Sequence, residues 1–334
     1  MKAIVYEKYG PPDVLQVKEV KKPVPKHDEI LIKVLATEVT KADCEMRSFN
    51  FQVKWFWLPL RVALGLRRPK KQILGGYFAG EVESVGKDVS KFKKGDQIFG
   101  TTRLRLGAYS EYVCLPANYT LVPKPYNLNF EEAAVVPLGG LNALHFLRKA
   151  NIRNGEKVLI NGAGGSIGTF AVQIAKAMGA EVTAVDSTIK EEMLRRIGAD
   201  HFFDYTKEDF TKSGQTFDVI FSMVAKSSYS ECVRALNSNG RYLMANPRIS
   251  DMLRSVLTSK FTDKTAIFVF AGEKEEELLA LKEMIEEGQI KSIVDKNYSF
   301  EQAVEAHRRV ETEQRLGTVV ISVNHNNKTF QSDA

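Results

Sequence analysis

The octapeptide N-G-A-G-G-S-I-G, Asn161 to Gly168, holds two incompatible chemistries. Gly164, Ser166 and Gly168 spell G-x-S-x-G, the elbow that presents a nucleophilic serine in hydrolases. The same residues make a glycine-rich turn of the kind that cradles a dinucleotide pyrophosphate. Spacing separates the two. An elbow holds its serine at the sharp turn itself, whereas here Gly162 begins the turn and Ser166 follows four residues later, where a helix should start. A hydrolase also needs an acid and then a histidine downstream, and His201, His307 and His325 stand in no distinguishing context. The dinucleotide reading gives each glycine a reason. Gly162 allows the tight turn past Ala163, and Gly164 and Gly165 remove side chains where backbone must approach pyrophosphate. Gly168 lets the helix that opens with Ser166 and Ile167 pack on the strand. The helix N-terminus then offers unpaired amides and a positive dipole to the anion. An acidic residue about 20 positions on should bind the adenosine ribose. Asp186 stands there.

These residues need a strand before them and a helix after. K-V-L-I-N at Lys157 to Asn161 reads as a buried strand, and Ile167, Phe170, Ala171, Ile174 and Met178 recur at helical spacing up to a cap at Gly179. Around this unit, β-like segments at Glu181 to Asp186, His201 to Asp204, Asp218 to Ser222, Arg241 to Met244 and Ala266 to Phe270 are joined mostly by helical connectors. That pattern predicts a doubly wound parallel sheet of about six strands. The chain before Pro123 reads instead as short strands at Ala3 to Tyr6, Glu29 to Ala36, Ala79 to Gly86 and after Gly107, punctuated by glycine and proline, which describes a β-rich, barrel-like domain. The last third carries helices at Lys274 to Glu287 and Phe300 to Glu311, and strands near Ser292 to Lys296 and from Gly317. Pattern alone assigns these to neither domain. Residues 325–334 read as a polar, frayed tail.

Length and composition fit this division. A chain of 334 residues, 44% hydrophobic, suits two cores. Its 47 basic and 41 acidic residues are nearly balanced, and no aromatic-basic interleaving points to nucleic acid. Cys44, Cys114 and Cys232 are odd in number and far apart, which argues against a disulfide framework or a C-x-x-C metal knuckle and for a reducing cytoplasm. The most apolar stretch, Trp55 to Leu66, is too short for a membrane span and carries Pro59 and Arg61. It reads as an apolar lid, or as a packing or dimer contact.

Several further segments together resemble the medium-chain dehydrogenase/reductase superfamily in its zinc-independent quinone oxidoreductase branch. They are M-K-A-I-V-Y at the start, Ala42-Asp43 with Arg47, the run from Phe78 to Gly100, G-A-Y-S-E-Y-V from Gly107, the glycine-loop unit, I-G-A-D-H-F-F-D-Y, and G-T-V-V-I. The resemblance implies an α/β protein with a GroES-like β-rich catalytic domain, residues 1–123, completed by 272–324. A Rossmann domain, 124–271, lies between, the active site occupies the cleft, and the protein is a homodimer. It implies NAD(P)H as coenzyme and a small quinone or enone as substrate. Zinc ligands are expected around Val39-Thr40 and Gly76-Tyr77 in the metal-dependent branch, and no cysteine or histidine stands there. Without that Lewis acid, hydride delivery favours an acceptor that delocalises charge, a quinone or an α,β-unsaturated carbonyl. By position in the family, Asp43, Arg47 and Tyr77 lie in the cleft region as catalytic candidates. Thr40 stands for the family's usual asparagine and Tyr77 for its usual aspartate. Asn142, Ala245 and Asn246 fall near the nicotinamide. Asp186 favours NADH by repelling a 2′-phosphate, while Ser187, Thr188 and Lys190, with Tyr205 on the adenosine side, keep the pattern of NADPH users. On balance NADH is expected. A coenzyme-binding protein without turnover is the alternative.

Overall fold

The computed structural model describes residues 1–51, 57–269 and 272–325. In chain order the first domain contributes β1 (Lys2–Tyr6), β2 (Leu15–Glu19), β3 (Glu29–Val39), α1 (Lys41–Ser48), α2 (Trp57–Leu64), β4 (Tyr77–Val85), β5 (Gln97–Thr101), β6 (Tyr112–Pro116) and β7 (Leu121–Pro123). There follow α3 (Phe130–Ala134), α4 (Val136–Ala150), β8 (Lys157–Asn161), α5 (Ser166–Ala177), β9 (Glu181–Asp186), α6 (Glu191–Arg196) and β10 (His201–Asp204). Next come β11 (Phe217–Ser222), α7 (Tyr229–Arg234), β12 (Leu236–Met244), α8 (Ile249–Phe261) and β13 (Thr265–Phe268). The chain ends with α9 (Glu275–Glu286), β14 (Val294–Ser299), α10 (Ala303–Glu311) and β15 (Thr318–Ser322).

Two sheets carry the architecture. The first runs β14-β15-β3-β4-β5-β7, with β6 also paired to β3, so the C-terminal strands join the sheet built by the first third of the chain. Strand β3 is long because its two halves have different partners. Glu29 to Lys33 pair antiparallel with β6, and Ala36 to Val39 pair with β15. Its far end therefore reaches the boundary between the domains. There Thr40 caps α1, accepting from the Asp43 backbone N–H while the Asp43 carboxylate accepts from the Thr40 N–H.

The second sheet is all parallel, in the order β10-β9-β8-β11-β12-β13. Its central strands, K-V-L-I-N of β8 and F-D-V-I-F-S of β11, are largely apolar and buried because helices cover both faces. The strand order reverses direction between β8 and β11, and ligands bind at the carboxyl ends of such a switch point. Helix α5 buries Phe170, Ala171, Val172, Ile174 and Ala175, and Gly179, at φ 83°, ends it in the left-handed conformation. Helix α9 packs its Leu278, Leu281 and Ile285 into this same core, whereas α10 packs with β15 in the other. The last third thus serves both domains.

Candidate coenzyme and substrate cleft

A cleft of about 900 Å³ opens at the switch point, between the carboxyl ends of β8 and β11 on one side and the start of α1 on the other. The turn after β8 shapes its floor. Gly162 has φ 90°, a conformation that a side chain resists, and its N–H donates to Val185 O at 3.0 Å. Gly168 abuts this turn so closely that a Cβ there would lie 2.4 Å from Gly162 O. Gly165 differs. A Cβ on it would come no nearer than 3.8 Å to another atom, and the residue lines the open cleft. It is also the N-cap of α5, with no side chain capping the helix, so the first-turn amides of α5 face space rather than a protein acceptor. An anion is the natural partner for that end.

Eleven of the expected coenzyme residues come together on this cleft: Asn142, Gly162, Gly165, Ser166, Ile167, Gly168, Asp186, Lys190, Tyr205, Ala245 and Asn246. Ala163 is buried beneath the turn, and neither Gly164 nor Ser187 lines the space. Asn142 and Asn246 are held by their amide groups, which donate to Leu138 O at 2.9 Å and to Met223 O at 3.0 Å.

Ser166 Oγ donates to Glu38 Oε1 at 2.7 Å. His201 pairs with Glu181, His307 with Cys44, and His325 with the Val34 carbonyl, so none of the three serves Ser166 as a base. The hydrolase reading of the octapeptide has no supporting geometry.

The three catalytic candidates are placed elsewhere. Asp43 is buried, accepting from Thr40 N at 3.0 Å, from Thr40 Oγ1 at 2.6 Å and from Gly75 N at 3.2 Å. Burial pushes its carboxyl above the ordinary range against these bonds. Arg47 is fully buried and paired with Glu311. Tyr77 donates to Glu273 Oε1 at 3.4 Å, and burial, then the nearby Glu273, raise its phenol well above the usual value. None of the three lines the cleft; Thr40 does, with its hydroxyl tied to Asp43. In the Trp55 to Leu66 stretch, Trp55 and Phe56 fall outside the described residues. Arg61 of α2 lies 4.4 Å from the Tyr9 ring centroid and 4.2 Å from that of Phe49, and Pro59, Arg61, Val62, Leu64, Gly65 and Leu66 do not line the cleft.

Two residues that the sequence reading passed over stand at the junction of the domains. Glu38, near the end of β3, is 1% exposed, and burial raises its carboxyl to about 8 against the opposing pull of Ser166 and Arg315. Arg315 lines the cleft and donates to Val310 O at 2.9 Å. A charged residue inside the apolar run E-I-L-I-K-V-L-A-T-E-V was the available signal for Glu38. Arg315 had none, because a fold that returns the C-terminal segment to the cleft must be known first.

Against known proteins, residues 26–126 match the alcohol dehydrogenase GroES-like domain, and residues 197–321 match the family described as zinc-binding dehydrogenase. The chain is 31% identical over 333 residues to the 2-methylene-furan-3-one reductase of Solanum lycopersicum, covering 96% of this chain and 79% of that protein. It belongs to the medium-chain dehydrogenase/reductase superfamily, in its quinone oxidoreductase-like branch. The quinone oxidoreductase of Sus scrofa is 31% identical over 323 residues, 93% of this chain and 94% of that one. The solved quinone oxidoreductase of Coxiella burnetii superposes with a TM-score of 0.86 at 27% identity, covering 97% and 99%. This family is one of oxidoreductases that use nicotinamide coenzymes, and it accounts for both the β-domain and the parallel sheet described above. Among the described residues no helix is long and apolar enough to cross a membrane, and no group of three or more His, Cys, Asp or Glu side chains is placed to hold a metal ion.

Proposed function

We propose that the protein reduces a quinone or an α,β-unsaturated carbonyl, using NADH or NADPH and no resident zinc. The observation that carries this reading is the open N-terminus of α5, with Gly165 facing the cleft at the switch point. The residues present fit a dinucleotide: first-turn amides of α5 for the diphosphate with Arg315 as the nearby cation, Asp186, Lys190 and Tyr205 at the adenosine end, and Asn142, Ala245 and Asn246 at the nicotinamide end. A bound reduced nicotinamide supplies the hydride. The chain's own residues do the rest. Thr40 lines the cleft from the β-domain side, and Asp43, by accepting from its hydroxyl at 2.6 Å, is a positioning residue behind it. Val39, Thr40, Gly76 and Tyr77 bring no thiolate or imidazole to the place where a zinc site would be built, which supports chemistry on acceptors that delocalise charge.

The homodimer is also proposed. Among the described residues strand β13 is one of the two edges of the parallel sheet, and beside it α8 exposes Ile249, Leu253, Val256, Leu257 and Phe261. An apolar helix face next to a sheet edge fits a second copy of the chain. Cys44, Cys114 and Cys232 are all free thiols, which supports a cytoplasmic setting.

The test is a panel of quinones, enals and simple ketones, each with NADH and with NADPH, followed at the nicotinamide absorbance. Oxidation with quinones or enals and not with unactivated ketones is expected. Coenzyme binding without oxidation by any acceptor would make this a binding protein and overturn the reading.

A further inference from the structure

We infer that coenzyme binding is linked to a proton on Glu38, a positioning residue that turns the Ser166 hydroxyl toward the diphosphate. This rests on the coenzyme reading above. Ser166 opens α5 and lines the cleft beside Gly165, while its Oγ lies 2.7 Å from Glu38 Oε1. Glu38 comes from the far end of β3, does not line the cleft, and leaves its buried Oε2 without a protein partner. A buried carboxyl thus stands one hydroxyl away from the open end of α5. The expectation that Gly164 would also face the diphosphate is corrected: a Cβ there would fall 2.2 Å from Lys190 Cδ and 3.0 Å from Asp186 Oδ2. The anion is left to Gly165 and Ser166.

A carboxylate only accepts hydrogen bonds, and a hydroxyl has one proton to give. With Glu38 ionised, Ser166 gives that proton to Glu38 and keeps only lone pairs for the cleft, where an anion would meet them. With Glu38 protonated, the carboxylic O–H donates to Ser166 Oγ, and the Ser166 proton is released to a diphosphate oxygen. Charge works in the same direction. An ionised Glu38 repels the diphosphate across a boundary of low dielectric and competes with it for the charge of Arg315. Proton and coenzyme therefore bind together, each raising the affinity for the other. The proton is drawn from solvent, and only hydrogen bonds are exchanged.

The surroundings of Glu38 let it carry that proton near neutral pH. Burial is the largest influence and raises its carboxyl to about 8, opposed by Ser166 on α5 and Arg315 before β15 and assisted by Asp43 on α1. Tyr77 on β4 and Tyr109 before β6 lie within electrostatic reach of Glu38, and burial holds both phenols well above the usual value, so neither titrates with it. Charged groups on the other elements packed against this end of the chain are engaged elsewhere. Glu131 of α3 accepts from Ser322 Oγ at 2.6 Å, and Glu132 accepts from Asn129 N at 3.0 Å. His307 and Glu311 of α10 pair with Cys44 and Arg47, and Lys41 of α1 pairs with Glu313.

The experiment measures dissociation constants for NADH and NADPH by coenzyme fluorescence from about pH 7 to about pH 9.5, at one ionic strength and with no acceptor present. Wild type is compared with Glu38→Gln and Ser166→Ala. Wild-type affinity should fall by roughly tenfold or more over this range. Its calorimetric heat at about pH 8.5, compared in two buffers of different ionisation enthalpy, should show proton uptake on binding. Glu38→Gln offers an amide N–H to Ser166 Oγ in place of the acid proton. It should hold the affinity of wild type at about pH 7 across the whole range, with no proton uptake. Ser166→Ala should bind roughly tenfold more weakly than wild type at about pH 7, the worth of one charged hydrogen bond. Should Glu38→Gln not fold, the wild-type profile and Ser166→Ala decide. A flat wild-type profile, a Glu38→Gln profile parallel to wild type, or equal affinity in Ser166→Ala overturns the link and leaves the coenzyme reading intact. A wild-type protein that binds neither coenzyme at any pH overturns that reading and the link with it.

Discussion

Glu38 places a carboxyl where no water reaches it, with Oε1 held by Ser166 and Oε2 without a protein partner. Burial is the largest influence and raises its pKa from 4.5 to about 8; Asp43 adds to this, while Ser166 and Arg315 oppose it. The sign of the effect on stability follows. Below pH 4.5 the group is protonated in both folded and unfolded chains and costs nothing. As pH rises toward 8 the unfolded chain releases a proton that the folded one retains, so stability falls through this window. The full penalty is on the order of 5 kcal/mol. Glu38→Gln keeps an acceptor for Ser166 and removes the charge. Chemical denaturation of the variant should show a flatter pH profile and greater stability than wild type at pH 8; parallel profiles would refute the assignment. The residues legible in the sequence are those whose chemistry is local: the glycine turn and Asp186 sit within one strand-turn-helix-strand unit. Glu38 and Arg315 acquire their roles only when β3 and the C-terminal segment meet at α5, which no spacing within either segment encodes.

At the scale of elements the contrast is the same. Strands β8, β9 and β11 and helix α5 follow from period and caps, because each is covered by its sequence neighbours. Helix α1 is missed: its eight residues, K-A-D-C-E-M-R-S, carry little apolar periodicity, and it depends on the Thr40–Asp43 capping box. Strand β14 begins two residues and ends three residues beyond the expected segment, since its register is set by parallel pairing with β15 and not by the polar sequence V-D-K-N-Y-S. Helix α8 owes its interest to what it leaves uncovered. If Leu253 and its neighbours bury against a second copy, Leu253→Asp places a charge in that contact and should convert a dimer to a monomer with little change in the protomer's fold. Light scattering after size exclusion reads this directly, and a wild type that is already monomeric, or a variant that stays dimeric, would remove α8 from the interface.

The whole molecule is held together at a few crossings between the domains. Gly317 N–H, from the turn before β15, donates to Gly164 O at 3.2 Å, fastening the glycine loop to the β-domain. Glu273, just before α9, gathers Thr101 Oγ1 at 3.0 Å and the Tyr77 hydroxyl at 3.4 Å on its carboxylate, and its carbonyl accepts from Thr120. Tyr77 and Glu273 thus tie the sheet of the first domain to the chain leaving the second. Glu273→Ala strands two hydroxyls and should cost about 1–3 kcal/mol in urea denaturation; an unchanged midpoint would show that this crossing carries nothing. The two-domain plan is legible from the change of rhythm near Pro123. The return of β14, α10 and β15 to the first sheet is not, because long-range pairing decides it and the resemblance, rather than periodicity, implied it.

The central claim is that the open first turn of α5 holds the diphosphate of a nicotinamide dinucleotide. Calorimetric titration of wild type and Gly165→Val with NADH and with NADPH tests it most directly. A Cβ at Gly165 meets nothing nearer than 3.8 Å in the protein, so the variant should melt at the wild-type temperature. Its branched side chain projects into the space reserved for the anion. Wild type should bind at least one coenzyme with a dissociation constant on the order of micromolar to tens of micromolar, and Gly165→Val should bind it at least about tenfold more weakly. Equal affinity in the two proteins, or no heat with either coenzyme in wild type, would contradict the account.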